Sequence, residues 1–240
     1  MHSDALASLL SRCDAVLFDF DGPICHVFEG LPAPGVAQEL SALLADIAPA
    51  LSDDALATDD PMVVHQLSRE GGDSVLAAVE AALTEAEVTA VGVAGPPTPG
   101  AVDALKAARA SGRRVAVVSN NSAECVHAYL SAQGLSDFVE AVIGRPALRP
   151  DLMKPSPHPL LAAVAHLGVA PERATLVGDS LSDVQAARAA AAGSIGFANK
   201  PGKAEVLGAA GADAVTQDMH DIARALAGRR RGPVDGAGIE

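Results

Sequence analysis

The 240-residue chain has no tryptophan, one tyrosine and five phenylalanines, so aromatic side chains make up only 2% of it. That scarcity removes the stacking platforms on which proteins hold single-stranded nucleic acid. Basic residues are also few: 17 Lys and Arg stand against 30 Asp and Glu, a formal net charge of −13. A surface this acidic repels nucleic acid and anionic membrane, both of which call for clustered Lys and Arg. The three cysteines (Cys13, Cys25 and Cys125) are odd in number, far apart and in no CxxC pair. They fit neither a disulfide framework nor a zinc ligand set. No run approaches the ~18 uninterrupted apolar residues of a membrane span. Met1-His2-Ser3-Asp4 lacks the basic region and following apolar stretch of a signal peptide. The expectation is a reduced, cytoplasmic protein with neither nucleic acid nor membrane as partner.

What is present is core material. Apolar residues are 49% and charged residues 20%, enough for one large domain or a core of about 150 residues carrying a smaller insert. Short β-branched runs at 15–20, 113–118, 139–143, 174–177 and 194–197 alternate with Ala-rich helical stretches at 100–110, 122–133, 159–167 and 182–192. Nearly continuous apolar strands separated by helices predict βαβ units, and so an α/β fold with a doubly wound parallel sheet covered on both faces. Between 25 and 94 that rhythm stops, and only helical patterns remain, at 33–47, 61–67 and 73–91. Turn-rich connectors, Gly30-Leu31-Pro32-Ala33-Pro34-Gly35 and Gly95-Pro96-Pro97-Thr98-Pro99-Gly100, bound the segment. The expected organisation is a core of 1–24 and 95–227, an inserted α-helical unit of 25–94, and a flexible tail of 228–240. The insert holds twelve Asp and Glu against one Lys or Arg, Arg69, so it carries most of the net charge.

Open α/β sheets bind ligands at the carboxyl ends of their strands. There this sequence places Asp19-Phe20-Asp21-Gly22 after the first strand, Ser119-Asn120-Asn121 after the second and Gly178-Asp179-Ser180 after the fourth, with Asp183 beyond and Lys154 in a preceding loop. Singly, each has an ordinary reading as a turn, a helix cap or a surface lysine. Together they deliver acids, a hydroxyl and a cation to one rim. Gathered carboxylates repel one another unless a cation sits among them, and all-oxygen ligation favours Mg²⁺. Such a set suits phosphoryl transfer. One Asp can attack phosphorus, a second can protonate the leaving oxygen and activate water, and Ser119, Lys154 and the metal can neutralise the transferring oxygens.

The strings Asp19-Phe20-Asp21-Gly22-Pro23-Ile24, Val117-Val118-Ser119-Asn120, Lys154-Pro155 and Gly178-Asp179 with Asp183 resemble, in order, the four motifs of the haloacid dehalogenase superfamily. The insert resembles the small helical cap of that superfamily's first subclass. This resemblance implies Asp19 as nucleophile, Asp21 as general acid/base, and Ser119 and Lys154 as phosphoryl-holding groups, with Asn120 helping through its backbone. It implies Mg²⁺ held by the Asp19 carboxylate, the Asp21 backbone carbonyl and Asp179, with Asp183 supporting the site. The implied activity is hydrolysis of a small phosphorylated metabolite, phosphoglycolate phosphatase-like. A phosphosugar mutase and a non-catalytic phosphate- or metal-binding relative are the alternatives. The insert has no lysine for a phosphonatase Schiff base, and the retained Asp21 argues against dehalogenation. A phospho-accepting receiver module would place its acceptor Asp on a middle strand, unlike this order.

Within the insert, His26, His65, Gln66, Ser68 and Arg69 are the candidates to meet substrate, Arg69 foremost. Were Arg69 to point away, so acidic an insert would favour neutral or cationic phosphate esters over a bisphosphate. Lys200, after the fifth strand, is a candidate neighbour of the site. Cys25 reads as an inert buried thiol, and His127, His158 and His166 as structural or surface residues.

Overall fold

A computed structural model describes residues 2–227; the tail expected at 228–240 lies outside the described residues. Helix α1 (His2–Arg12) leads into strand β1 (Ala15–Phe18), and the four helices of the insert follow: α2 (Ala33–Ile47), α3 (Ser52–Leu56), α4 (Pro61–Ser68) and α5 (Asp73–Val93). Alternation then resumes with α6 (Ala101–Ala110), β2 (Arg114–Val118), α7 (Ala123–Ala132), β3 (Ala141–Ile143), α8 (His158–Leu167) and β4 (Ala174–Gly178). The remainder is α9 (Leu181–Ala189), β5 (Gly193–Phe197), α10 (Lys203–Ala209), β6 (Ala214–Thr216) and α11 (Met219–Ala227).

All six strands are parallel, in the order β3-β2-β1-β4-β5-β6. Every residue of β1 and β4 is buried, which is why these strands read as unbroken apolar runs: helices cover both faces. One face buries Phe18, Val16, Val117 and Val177 with residues of α6, α7 and α11; the other buries Leu17, Ala116, Val118 and Leu176 with α8 and α9. Successive residues of one strand thus serve opposite cores. Successive crossovers run to one side of β1 and then to the other, so the switch point lies between β1 and β4 and opens a crevice at their carboxyl ends.

Helices α2 to α5 have a core of their own. Val36, Leu40 and Leu44, spaced by four along α2, pack with Val64 of α4 and Val79 and Leu83 of α5. Pro61 occupies the first turn of α4, where its missing N–H has no helical partner to lose, and the Asp60 side chain caps the helix by accepting the Met62 N–H at 2.8 Å.

The ends of the fold were less legible. Helices α1, α10 and α11 and strand β6 were not expected, and β3 is shorter than its apolar run. Arg113, the expected start of the second strand, is instead buried just before it and donates to the carbonyls of Leu10 (2.7 Å) and Leu226 (3.3 Å) in the last turns of α1 and α11. A cation there meets the partial negative charge of two helix C-termini. No helix among the described residues is long and apolar enough to cross a membrane.

Candidate active site

Phe18 lies level with Val117 on one side and Val177 on the other. The residues following these three parallel strands therefore emerge together: Asp19 and Asp21 after β1, Ser119 and Asn120 after β2, Asp179 after β4. All five line one cavity of about 540 Å³, with Lys154 on its wall. The cavity lies between the sheet's carboxyl edge and the inserted helices.

Asp19 is held by its backbone and by one carboxylate oxygen. Its N–H donates to Val177 (2.8 Å), and its Oδ1 accepts from the Phe20 N–H (2.7 Å) and pairs with Lys154 Nζ (2.7 Å). Oδ2 has no partner among the described residues, so one oxygen fixes the side chain and the other is available. Burial, and next the charge of Asp183, push the Asp19 carboxyl well above the ordinary range, against the pull of Lys154. Asp21 accepts the Val27 N–H at 3.0 Å, and burial raises its pKa too. A carboxyl that keeps its proton more readily is suited to giving that proton to a leaving group.

Lys154 is buried and bridges Asp19 to Asp183 (2.6 Å), with a third bond to the Val118 carbonyl (3.1 Å). Burial works against its charge, but Asp183 and Asp19 outweigh it and raise its pKa. Its loop is tied to that of Ser119 by a reciprocal pair: the Lys154 N–H donates to Asn120 Oδ1 (2.9 Å) and Asn120 Nδ2 to the Lys154 carbonyl (3.1 Å). Asn120 thus ties the two loops together through its side chain. Ser119 is buried and donates to Asn121 Oδ1 at 3.1 Å.

Asp19, Asp179 and Asp183 each offer a carboxylate oxygen, all within 4.8 Å of one another. Two glycines make this packing possible. Gly22 has φ +103°, and a Cβ on it would stand 2.6 Å from Asp179 Cγ; a Cβ on Gly178 would collide with the Asp183 carboxyl. Both Asp183 oxygens are engaged, one by Lys154 and the other by the Ser180 N–H and hydroxyl in a capping box that starts α9. Asp19 and Asp179 each keep one oxygen without a partner among the described residues. The donor set is hard oxygen throughout and fits a small divalent cation, with Asp183 better placed to brace the cluster than to ligate. The Asp21 carboxylate stands outside this group.

Three features escaped sequence reasoning. Asp179 Oδ2 accepts from Asn199 Nδ2 (2.9 Å) and pairs with Lys203 Nζ (2.5 Å). Lys200, the expected neighbour, is exposed and lies outside the cavity lining, though its charge acts on Asp21. The Pro201-Gly202 turn, with Gly202 at φ +81°, brings the lysine three residues later to Asp179. The second feature is a buried ion pair between the insert and the core: Glu87 of α5 with Arg145 after β3, at 2.8 Å. Glu87 also accepts from Asn121 Nδ2 (3.1 Å) and the Ser122 N–H (2.9 Å), while Arg145 donates to the Asn120 carbonyl (3.1 Å) and Thr84 (3.0 Å). Third, Asp59 and Asp60 stand on the cavity wall.

Arg69, the foremost candidate in the insert, is elsewhere. Its guanidinium pairs with Asp151 at 2.7 Å, half exposed, and does not line the cavity. Glu70 and Asp73 lie beside it in sequence, but an acid 82 positions away takes the contact, which only the fold brings near. His65 is buried against Glu80 at 3.3 Å, and His26 is exposed; neither lines the cavity. Cys25 and Cys125 are buried, and burial pushes both thiols far up, as befits inert packing residues.

Comparison with known proteins agrees with this architecture. Residues 13–191 match the family described as haloacid dehalogenase-like hydrolase. The phosphoglycolate phosphatase of Nitrosococcus oceani is 45% identical over 92 residues, covering 38% of this chain and 40% of that protein. That of Salmonella typhi is 33% identical over 128 residues, covering 53% of this chain and 50% of that protein. The chain therefore spans half or less of the length of these curated relatives. A predicted phosphoglycolate phosphatase from Haemophilus somnus superposes with a TM-score of 0.63 at 20% identity, over 89% of this chain and 97% of that one; at that identity the likeness is one of fold. The family match covers more than half of the sequence and includes Asp19, Asp21, Ser119, Asn120, Lys154, Asp179 and Asp183. The chain belongs to the haloacid dehalogenase-like hydrolases.

Proposed function

We propose that this protein is a Mg²⁺-dependent phosphatase that hydrolyses a small-molecule phosphate monoester through an aspartyl-phosphate intermediate. The observation that carries this reading is the pinned Asp19 with one unpartnered oxygen, in a cavity shared with Ser119, Lys154, Asp21 and Asp179.

In the first step Asp19 Oδ2 forms a bond to phosphorus and the ester P–O bond breaks, the leaving oxygen taking a proton from Asp21. In the second, water gives a proton to Asp21 as its oxygen bonds to phosphorus; the acyl phosphate bond breaks, restoring the Asp19 carboxylate and releasing inorganic phosphate. Lys154 and the Ser119 hydroxyl hold the phosphoryl oxygens and stabilise charge as it shifts between them. For that, Ser119 exchanges its bond to Asn121 for one to phosphate. Asp19, Asp179 and the Asp21 carbonyl would hold Mg²⁺, braced by Asp183. Bound there, the ion supplies positive charge to the transferring oxygens and offsets the repulsion among the carboxylates.

The test is phosphate release from a panel of phosphorylated metabolites with Mg²⁺ or with chelator, beside Asp19→Asn. Metal-dependent turnover, lost by at least about 10³-fold in the variant as expected for an absent nucleophile, with phosphate trapped covalently on Asp19 in the parent, supports the reading. Undiminished turnover in Asp19→Asn overturns it.

A further inference from the structure

The cavity has two halves with different chemistry. Its floor is the phosphoryl half: Asp19, Asp21, Ser119, Lys154 and Asp179. Its other wall comes from the insert and includes Phe28, Pro34, Asp59, Asp60, Pro61 and Met62. A phosphoryl group seated over Asp19 leaves its ester substituent to face that wall. The wall carries two carboxylates and apolar surface, and no basic side chain.

Three cations around the site are paired with acids, whereas Lys200 and His26, whose charges act on Asp21, are exposed and stand outside the cavity lining. Lys154, the one basic residue lining the cavity, lies between Asp19 and Asp183. Lys203 is paired with Asp179. Arg69, the insert's single Lys or Arg, is paired with Asp151 and stands outside the cavity. Asp60 spends one oxygen capping α4, whereas the Asp59 carboxylate is exposed and has no partner among the described residues. A leaving group bearing a carboxylate or a second phosphate would meet like charge on that wall, with no cation of the wall among the described residues to receive it. An ammonium group would meet Asp59 and Asp60 on that wall, beside the half-buried Phe28.

We propose that the leaving group of the substrate is positively charged: the site takes the phosphate monoester of an amino alcohol in preference to that of a hydroxy acid. This rests on the phosphatase reading above and adds the charge of the substrate to it. The bond changes are unaltered; Asp21 protonates the oxygen of an amino alcohol, which leaves as a cation.

The experiment measures kcat/KM for phosphocholine, glycerol phosphate and phosphoglycolate with the full chain, Mg²⁺ and low ionic strength, at a pH where each phosphate is a dianion. Phosphocholine is expected first and phosphoglycolate last, separated by on the order of tenfold or more, as one reversed charge near two carboxylates requires. Asp59→Asn shrinks that ratio, as does added salt, and Arg69→Ala leaves the ranking as it was. Competitive binding to Asp19→Asn, read by calorimetry, should follow the same order without turnover. An inverted ranking, a ratio indifferent to Asp59→Asn, or selective loss of phosphoglycolate turnover in Arg69→Ala overturns the inference and leaves the phosphatase reading intact. Absence of turnover with every ester removes both.

Discussion

The Glu87–Arg145 pair joins the inserted helices to the loop that carries Ser119, and its energetics can be worked through. Both side chains are almost wholly buried. Replacing Arg145 with Met leaves Glu87 buried and charged with only the Asn121 and Ser122 N–H donors. Removing one partner of a buried pair costs about 3–5 kcal/mol because the survivor has no compensating charge. Arg145→Met should fall toward the lower end, since Glu87 keeps two donors. Glu87→Leu belongs at the upper end, since it strips acceptors from Arg145, Asn121 and Ser122 at once. For a chain of this size those costs lower Tm by roughly 6–20 °C. The double variant removes both charges and leaves unpaired donors at about 1–3 kcal/mol each. It should therefore be more stable than the sum of the singles predicts, by about 3 kcal/mol. Urea unfolding followed by circular dichroism measures all three. Additivity within about 0.5 kcal/mol would refute the claim that burial of an uncompensated charge dominates.

Two further predictions concern protons and backbone. Burial, then the charge of Arg145, hold the His65 imidazole below its ordinary 6.5, so the unfolded chain takes up this proton more readily than the folded one. Stability from this group is complete above pH 6.5 and is lost as pH falls through that value toward the lowered one; His65→Gln should flatten this part of a stability–pH profile, and an unchanged slope would contradict the assignment. Gly22→Ala places a side chain at φ +103°, 2.6 Å from Asp179 Cγ. Backbone strain alone costs about 1–3 kcal/mol, and displacement of Asp179 should weaken Mg²⁺ binding measured by calorimetry; wild-type affinity would show that Asp179 need not stand where Gly22 allows it.

The central fold was legible because its physics is local. Buried parallel strands read as apolar runs, and the acids at their ends stand out because Asp19, Asp21 and Asp179 follow such runs directly. Short edge strands give no comparable pattern. β6 has three residues, Ala214–Thr216, and neighbours a run of Gly and Ala that fits any connector. What could not be read were contacts made by distant segments. Arg69 beside Glu70 suggests a local pair, yet its partner is Asp151. Glu87 sits on a helix rich in Glu and Ala and reads as one more exposed acid, until Arg145 and Asn121 close over it. Asn121 was in view within the Ser119-Asn120-Asn121 string, but its tie to Glu87 depends on how α5 crosses that loop. Lys203 differs from Lys200 only by one turn of chain.

These contacts also rank the ways in which the insert is fastened to the core. At the C-terminal end of α4, Arg69 and Asp151 form a half-exposed pair, of a kind worth about 0–1 kcal/mol. At α5, the Glu87–Arg145 pair is buried and carries bonds to the backbone of both Asn120 and Ser122; breaking it costs several times more. The N-terminal end of α4, where Asp59 and Asp60 meet the cavity, is tied to the strong pair as well, since Met62 Sδ stands 4.0 Å from the Arg145 guanidinium. Ser119 belongs to the strongly fastened part. Arg145 thus reaches both the wall that faces the leaving group and the loop of the phosphoryl half, and the exposed Arg69–Asp151 pair adds little to either.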